Sequence, residues 1–468
     1  MIRRLRTLLL IFFGAATIAM LHAQQGPADT QLPNAPVLNF AGRLQAHPVP
    51  SPTPQNSPTT PQRLTLMDAE KLAIQHNPRI SAAHLLALVQ HQVVRETRAA
   101  ELPAATANIT AVYAEDGSRL SAGALTASRL FEHAGAGAGF TQLITDFGKT
   151  GNLVASAKLN EQAQNANALA TTEDIVLAAD QAFYNALEAQ AQLQVAQEAV
   201  RTRQATQTQV SSMAKNKLKS DLDTSFADVN LSQAHLLQLD AQNHVDATMA
   251  TLDAVLGLDR AVQYDLEDGD ATLDKPPVDA VQLTQLALRQ RPDLQALNLS
   301  RQAYEKYSHA ERDQLLPSIT AAGTAGSVPV RPAAYYNQNW WGGIGVNMNI
   351  PIFNGFLYSA QAKEAAIRAQ ATDEQGRELR DNIVRDVRTA WLAANTAYQR
   401  MGVTGQMLDQ ADQALKLAQT RYKLGLSSIV ELSQAQFQQT DAAVSNTNAR
   451  YGYRLALATL NYETGTAP

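Results

Sequence analysis

The chain is written twice. Ser220, Asp221, Leu222 and Asp223 recur 208 residues later as Ser428, Ile429, Val430 and Glu431, Ile175 and Val176 recur as Ile383 and Val384, and Phe183 as Trp391. Toward the N-terminus the offset is 214: Leu72, Ala73 and Pro78 recur as Leu286, Ala287 and Pro292, and Leu102 and Pro103 as Leu316 and Pro317. Two registers separated by one short deletion describe an internal duplication, which sets the architecture before any single element is read. A chain of 468 residues would suggest two or three domains by length alone, whereas the repeat suggests two copies of one unit in a single architecture.

Each copy contains a helix that reverses. Before the second turn, Leu408, Ala411, Leu415, Ala418 and Tyr422 alternate at spacings of three and four, the apolar seam of a helix packed on another helix. Gly425 ends that seam. Ser428 then opens a new helix with Glu431 three residues on, a capping-box pattern, and Ser220 with Asp223 repeats it in the first copy. The helical runs leading into these turns, 149–216 and 357–424, would each span roughly 100 Å at 1.5 Å per residue, and return helices at 220–256 and 428–461 pair with them. Hydrophobic residues make up 45% of the chain but aromatics only 6%, with alanine and glutamine abundant, which suits long helices packed closely through small side chains.

Before each long helix the period changes from helical to alternating. Residues 104–114 and 133–145 read as a β-hairpin separated by the polar stretch around Glu115, Asp116, Gly117 and Ser118. Strands of about 10 residues are the length a tilted strand needs to cross a bilayer. The second copy has a strand near 318–326, then a tip with Tyr335, Tyr336, Trp340 and Trp341 placed as an interfacial aromatic girdle, then a strand whose Ile344, Val346, Met348 and Ile350 oppose Gly345, Asn347 and Asn349. One face is apolar and the other wet. An ordinary soluble hairpin gives a similar pattern, so each hairpin alone leaves both readings open. The fold expected is mainly α with a transmembrane β-barrel: helix, hairpin, long helix, turn and return helix, twice, with four strands per chain. Four strands cannot close a barrel and open edges are not tolerated in lipid, so an oligomer is required; three copies would supply 12 strands.

The expected boundaries follow. Arg3, Arg4 and Arg6 precede an apolar run from Leu8 to Met20 with a cleavage site at Leu21-His22-Ala23, a secretory signal over 1–23. The proline-rich stretch 24–62 is a disordered leader. The first repeat spans 63–256, with its opening helix interrupted near Asn77-Pro78, the linker 257–279, the second repeat 280–465 and the tail 466–468.

Composition excludes much. There is no cysteine, hence no disulfide, thiolate metal site or cysteine nucleophile. The formal charge is −5 and no basic stripe with interleaved aromatics points to nucleic acid. Gly148-Lys149-Thr150 resembles a phosphate loop, but Leu143 stands where its first glycine belongs, and Asp146-Phe147-Gly148 has no accompanying kinase catalytic loop. Gly135, Gly137 and Gly139 alternate within a strand and suit a barrel wall. His84 and His91 have no carboxylate or thiol at metal-ligand spacing in the sequence. No catalytic residue, cofactor or metal is expected, and no acid, base or nucleophile constellation supports an enzyme.

The segments LTLMDAEKLAIQHNPRISAA at 64–83, the Leu-Pro strand entries at 102 and 316, GIGVNMNIPIFNG at 343–355 and RYKLGLSSIVELSQAQ at 421–436 together resemble the TolC-like outer-membrane efflux protein family over residues 64–465. The resemblance implies a homotrimer whose 12-stranded barrel contacts outer-membrane lipid and continues as a periplasmic helical tunnel, opened on docking with a periplasmic adaptor and an inner-membrane transporter. It implies that Tyr422 helps hold the tunnel shut and that Glu431 and Asp223 lie near its closed end. The chain departs from the family pattern at Ser427, where an arginine can lock the gate, at Gln434, where a second acidic ring can occur, and at Lys217, which stands where the second turn has Gly425. Helix capping is the preferred reading of Asp223; for Glu431 capping and a charged constriction both stand, and Tyr422 fits core packing as well as gating. The function expected is the passive exit duct of a tripartite efflux or type I secretion system in the outer membrane. The alternative is a periplasmic helical scaffold or adaptor that never crosses the membrane.

Overall fold

The computed structural model describes residues 62–115, 119–122, 125–129, 133–258, 264–268, 275–277, 279–330 and 339–466. The expected signal segment, the leader up to residue 61, the tip residues Tyr335 and Tyr336, and tail residues 467 and 468 lie outside the described residues.

In chain order the elements are β1 (Gln62–Leu64), α1 (Leu66–His76), α2 (Pro78–Ala99), β2 (Ala104–Val112), β3 (Arg119–Ala122), β4 (Leu125–Arg129), β5 (His133–Thr145), α3 (Lys149–Lys215) and α4 (Asp221–Leu256). They continue as β6 (Tyr264–Leu266), α5 (Ala280–Gln290), α6 (Pro292–Asp313), β7 (Ser318–Val330), β8 (Trp340–Asn349), α7 (Leu357–Lys423) and α8 (Ile429–Thr464). The duplication is visible in the lengths: 11 residues for α1 and α5, 22 for α2 and α6, 67 for α3 and α7, and 36 for α4 and α8.

The same local chemistry sets these boundaries in both copies. The residue before proline is driven out of helical geometry, so Asn77 and Arg291, with ψ of 121° each, break α1 from α2 and α5 from α6. The return helices end on left-handed glycines that dock against those breaks. A β-carbon on Gly257 would lie 2.6 Å from the carbonyl oxygen of His76, and one on Gly465 would lie 3.2 Å from Cβ of Gln290 and 3.4 Å from the Arg291 nitrogen, a looser version of the same approach. Small residues let the helices approach: Ala69, Ala73, Ala179, Ala182 and Ala186 are buried with Phe183, Leu252 and Leu256 in the largest core cluster. Its counterpart in the second copy gathers Ala287, Leu294, Ile383 and Val387.

The main sheet has four strands in the order β2-β5-β7-β8, all neighbours antiparallel. Its registers repeat exactly as the sequence offsets require, to the residue: Ala104 opposes Thr141 as Ser318 opposes Asn349, and Thr106 opposes Gly139 as Thr320 opposes Asn347. Two further pairings carry no signal in the repeat. β3 and β4 form a short antiparallel hairpin between β2 and β5, and β6, within the expected linker, runs parallel to β1. Asp268 just beyond β6 accepts from Arg450, Tyr451 and Arg454 on α8, which ties the linker to the second copy.

Candidate functional site

Two features of this fold can do something: the sheet with its two faces, and the paired turns at the far ends of the long helices. In the sheet, strand registers sort the side chains. Thr106, Asn108, Thr110, Thr320, Thr324, Asn347 and Asn349 share one face with Gly135, Gly137 and Gly139; Ile109, Ala111, Phe140, Ile344, Val346 and Met348 share the other. The polar face borders a space of about 500 Å³ lined by Thr106, Asn108, Thr110, Thr324 and Trp341. The apolar face is bare, with Ile109 88%, Ile344 81% and Val346 69% exposed.

This geometry corrects the aromatic tip. Trp340 and Trp341 are consecutive residues of β8, opposite Ser327 and Gly326, and consecutive strand residues face opposite ways. Trp340 joins the apolar face and is 75% exposed. Trp341 lies on the polar face across two glycines: a β-carbon on Gly326 would come within 2.8 Å of its ring and one on Gly137 within 3.3 Å. Counting parity along the strand separates the two tryptophans.

At the strand-to-helix junction the motif that resembled nucleotide-binding or kinase sequences is a cap. Asp146 accepts from the backbone N–H of Gly148 and Thr150, at 3.3 and 2.8 Å, and from the Thr150 hydroxyl. His91 bonds Glu161 at 2.7 Å across two helices, and no metal-binding group of residues occurs among the described residues.

The turns share one backbone. After α3, Lys217 has φ +60° and the Leu218 N–H donates to the Met213 carbonyl at 2.9 Å; after α7, Gly425 has φ +73° and the Leu426 N–H donates to Arg421 at 2.8 Å. Lysine thus occupies a left-handed position that suits glycine. The turns pack on each other: Val210, Ala227, Ala418, Tyr422, Ile429 and Leu432 form one buried cluster, flanked by Asn230 to Ser433 at 2.6 Å and Gln436 to Thr206 at 2.8 Å.

Their carboxylates differ. Ser220 and Asp223 form the full reciprocal box, Asp223 N–H to the serine hydroxyl at 3.2 Å and Ser220 N–H to the carboxylate at 3.0 Å; these bonds, the backbone one first, lower the Asp223 pKa. At the second turn half the expected box is made. Ser428 accepts from the Glu431 N–H at 3.3 Å, but the Glu431 carboxylate turns away to Arg421, Nε to Oε1 3.0 Å. Arg421 has Met213 as its counterpart in the first copy, so Asp223 has no cation at that place and returns to its cap.

Tyr422 is 1% exposed, with Lys219 of the first turn 4.4 Å from its ring centroid. Burial first, then the charge of Asp223, raises its pKa, and its enclosed hydroxyl has no hydrogen-bond partner among the described residues. Ser427 likewise presents an enclosed hydroxyl without a partner there, whereas Gln434 is exposed on the same helix as Glu431. The fold therefore brings Tyr422, Asp223, Ser220, Ser428 and Glu431 to one end of the molecule, and leaves Trp340 and Trp341 in the sheet.

The model of the family described as outer membrane efflux protein matches residues 283–466, the second copy of the repeat. That copy is similar to the outer membrane efflux proteins, and curated and solved relatives are similar to more of the chain. It is 26% identical over 160 residues to outer membrane protein TolC of Salmonella enteritidis, covering 34% of this chain and 33% of that one. TolC of Escherichia coli (strain K12) is 25% identical over 243 residues, 48% of this chain and 49% of the relative, so the matches span half or less of these relatives' lengths. The CusC crystal structure, described as showing conformational changes accompanying folding and transmembrane channel formation, superposes with a TM-score of 0.75 at 19% identity, covering 86% of this chain and 92% of that one. Among the described residues no helix is long and apolar enough to cross a membrane.

Proposed function

We propose that this chain is the outer-membrane exit duct of a tripartite efflux or type I secretion system, a homotrimer with a shared 12-stranded barrel above a helical tunnel. Substrates pass passively, with energy supplied by an inner-membrane transporter engaged through a periplasmic adaptor. The observation that carries this reading is the two-faced sheet, whose bare face presents Ile109, Ile344 and Val346 while the other face presents threonine, asparagine and glycine. Lipid is the solvent for the first and water for the second. A periplasmic scaffold would gain nothing from such a face.

The turn cluster is the gate in this reading. Tyr422 and Lys219 hold the two turns of one chain together, and opening separates them. Ser427, lacking a guanidinium, leaves the locking role to other groups, and Glu431 with its Arg421 partner supplies charge near the constriction. In planar bilayers the purified protein is expected to give a small, cation-preferring conductance that loses part of its preference in Glu431→Gln. Insertion with no change in preference would return Glu431 to a structural role. Failure of well-folded protein to insert would favour the scaffold.

A further inference from the structure

On the polar face of the four-stranded sheet, Trp341 is the one aromatic side chain among the described residues of its strands. The registers place it at the end of a row of directly opposed residues: Trp341 on β8, Gly326 on β7, Gly137 on β5 and Asn108 on β2. Both middle positions are glycine, so no side chain stands between the ring and the sheet. The Cζ2 atom of Trp341 would lie 2.8 Å from a β-carbon on Gly326 and 3.3 Å from one on Gly137. The side chain therefore lies down across β7 and ends over the gap between β7 and β5. Three strand spacings of about 4.8 Å make the row about 14 Å long. The indole covers close to half of it, and the half from Gly137 to Asn108 is glycine floor bordering the space of about 500 Å³. Trp341 is 48% exposed, so the indole keeps a surface open to that space.

We propose that this row is a binding site for a flat, uncharged aromatic molecule of two fused rings, stacked on Trp341 with its polar edge at Asn108. The site deepens the exit-duct reading and rests on it, because that reading puts this face in the water of the duct. Among the described residues lining the space there is no aspartate, glutamate, lysine or arginine, and His133 is the one titratable group, so an ionic ligand finds no counter-charge. What the wall offers is an aromatic surface at one end and amide and hydroxyl groups at the other, Asn108 flanked along β2 by Thr106 and Thr110. A sugar ring needs hydrogen bonds around its whole rim. Here the side-chain polar groups stand mainly along one edge, and the glycines beneath supply none.

A purely structural role for Trp341 would be to shield the backbone of the two glycines it covers. Other glycines of the same face do without such a cover. A β-carbon on Gly343 or Gly345 would meet nothing within 4 Å, and the nearest atom to one on Gly139 belongs to Thr324. At offset 208 the first copy has His133 in place of Trp341, so the indole occurs at this register once per chain. Shielding is thus no general need of this sheet, and the paired glycines fit a ring that is to be held low with its outer surface free.

The chain has 3 tryptophans, so fluorescence reads the site directly. Full-length protein in detergent carrying Trp340→Phe and Trp391→Phe reports Trp341 alone; phenylalanine already stands at Phe183, the first-copy equivalent of Trp391. Caffeine, flat and uncharged with two fused rings, should quench this variant saturably and without shortening the fluorescence lifetime. The companion carrying Trp341→Phe and Trp391→Phe, which reports Trp340, should show linear collisional quenching. In the Trp341 reporter, Asn108→Ala should raise the half-saturating concentration about threefold with the melting temperature unchanged. Gly137→Ala, which touches no ligand group but pushes the ring off its floor, should raise it by a similar factor. Linear quenching at Trp341, or saturation that neither substitution shifts, would overturn the site. Saturation by methyl glucoside and not by caffeine would overturn the ligand class. A brominated lipid in liposomes tests the underlying reading separately: it should quench Trp340 and spare Trp341. Quenching of both or of neither would overturn the duct, whatever caffeine does in detergent.

Discussion

The two copies of the repeat fold alike and are held by different chemistry. Where α4 ends, Asn77 caps α2 and donates to the carbonyl of Val255 at 2.9 Å; at the equivalent place in the second copy Arg291 pairs with Glu463 at 2.6 Å and with Asp293 at 2.8 Å, both within a largely enclosed site. At mid-helix the first copy buries Asp180 against Glu70, and the second has Arg388 and Thr284. At the turns, lysine and a capping aspartate stand against glycine and an ion-paired glutamate. Backbone geometry tolerates all of these exchanges because it is fixed elsewhere, by proline breaks, glycine ends and alanine seams. The charged groups are free to diverge, and divergence is what a two-copy wall needs if one turn is to behave differently from the other.

Breaking the comparison at its strongest point should cost most. Arg291→Met leaves Glu463, whose carboxyl burial already raises in pKa against the pull of Arg291, without its enclosed partner. About 3–5 kcal/mol of stability should be lost, against about 1–2 kcal/mol for Asn77→Ala, measured by denaturant unfolding of the second and first copies' equivalent sites side by side.

Asp180 should show the next effect, and it is pH-dependent. Burial first, then Glu70, pushes its carboxyl from 3.8 to about 7, so the folded state holds more protons than the unfolded state between those values. Stability from this pair is therefore present at low pH and falls as pH rises through that window. Asp180→Asn should raise the melting temperature at pH 8, by about 1–2 kcal/mol in stability, and change it little at pH 4. Equal gains at both values would show that the proton is not the cause.

The turns give the smaller pair of tests. Lys217→Gly relieves a left-handed lysine and should stabilise by about 1 kcal/mol, while Gly425→Lys should cost about as much; opposite signs in thermal melts are the signature of shared geometry with exchanged residues. Ser220→Ala, which removes a reciprocal box, should cost about 1 kcal/mol, and Ser428→Ala about half of that, because Glu431 makes no return bond there.

Much of this was legible in the sequence because the signals are local and occur twice. The helix breaks follow from Pro78 and Pro292, the long helices from their period, and both reversals from Ser220 and Ser428. The sheet faces follow from alternation at 344–350. What escaped depended on distance or parity. The β1·β6 pairing joins residues some 200 apart, Arg421 reaches Glu431 only because the turn brings positions ten apart together, and Trp341 faces inward because strand neighbours alternate. The hairpin β3·β4 has no counterpart in the described residues of the second copy, so duplication could not announce it.

The central claim is that one sheet face meets lipid and the other water, and cysteine scanning of β8 tests it most directly. Single cysteines at residues 344 to 348, labelled with an environment-sensitive dye in liposomes containing a lipid-soluble quencher, should alternate: strong quenching at 344, 346 and 348, weak at 345 and 347. Uniform weak quenching, with full access to a water-soluble reagent at every position, would contradict the account and place the strand outside the membrane.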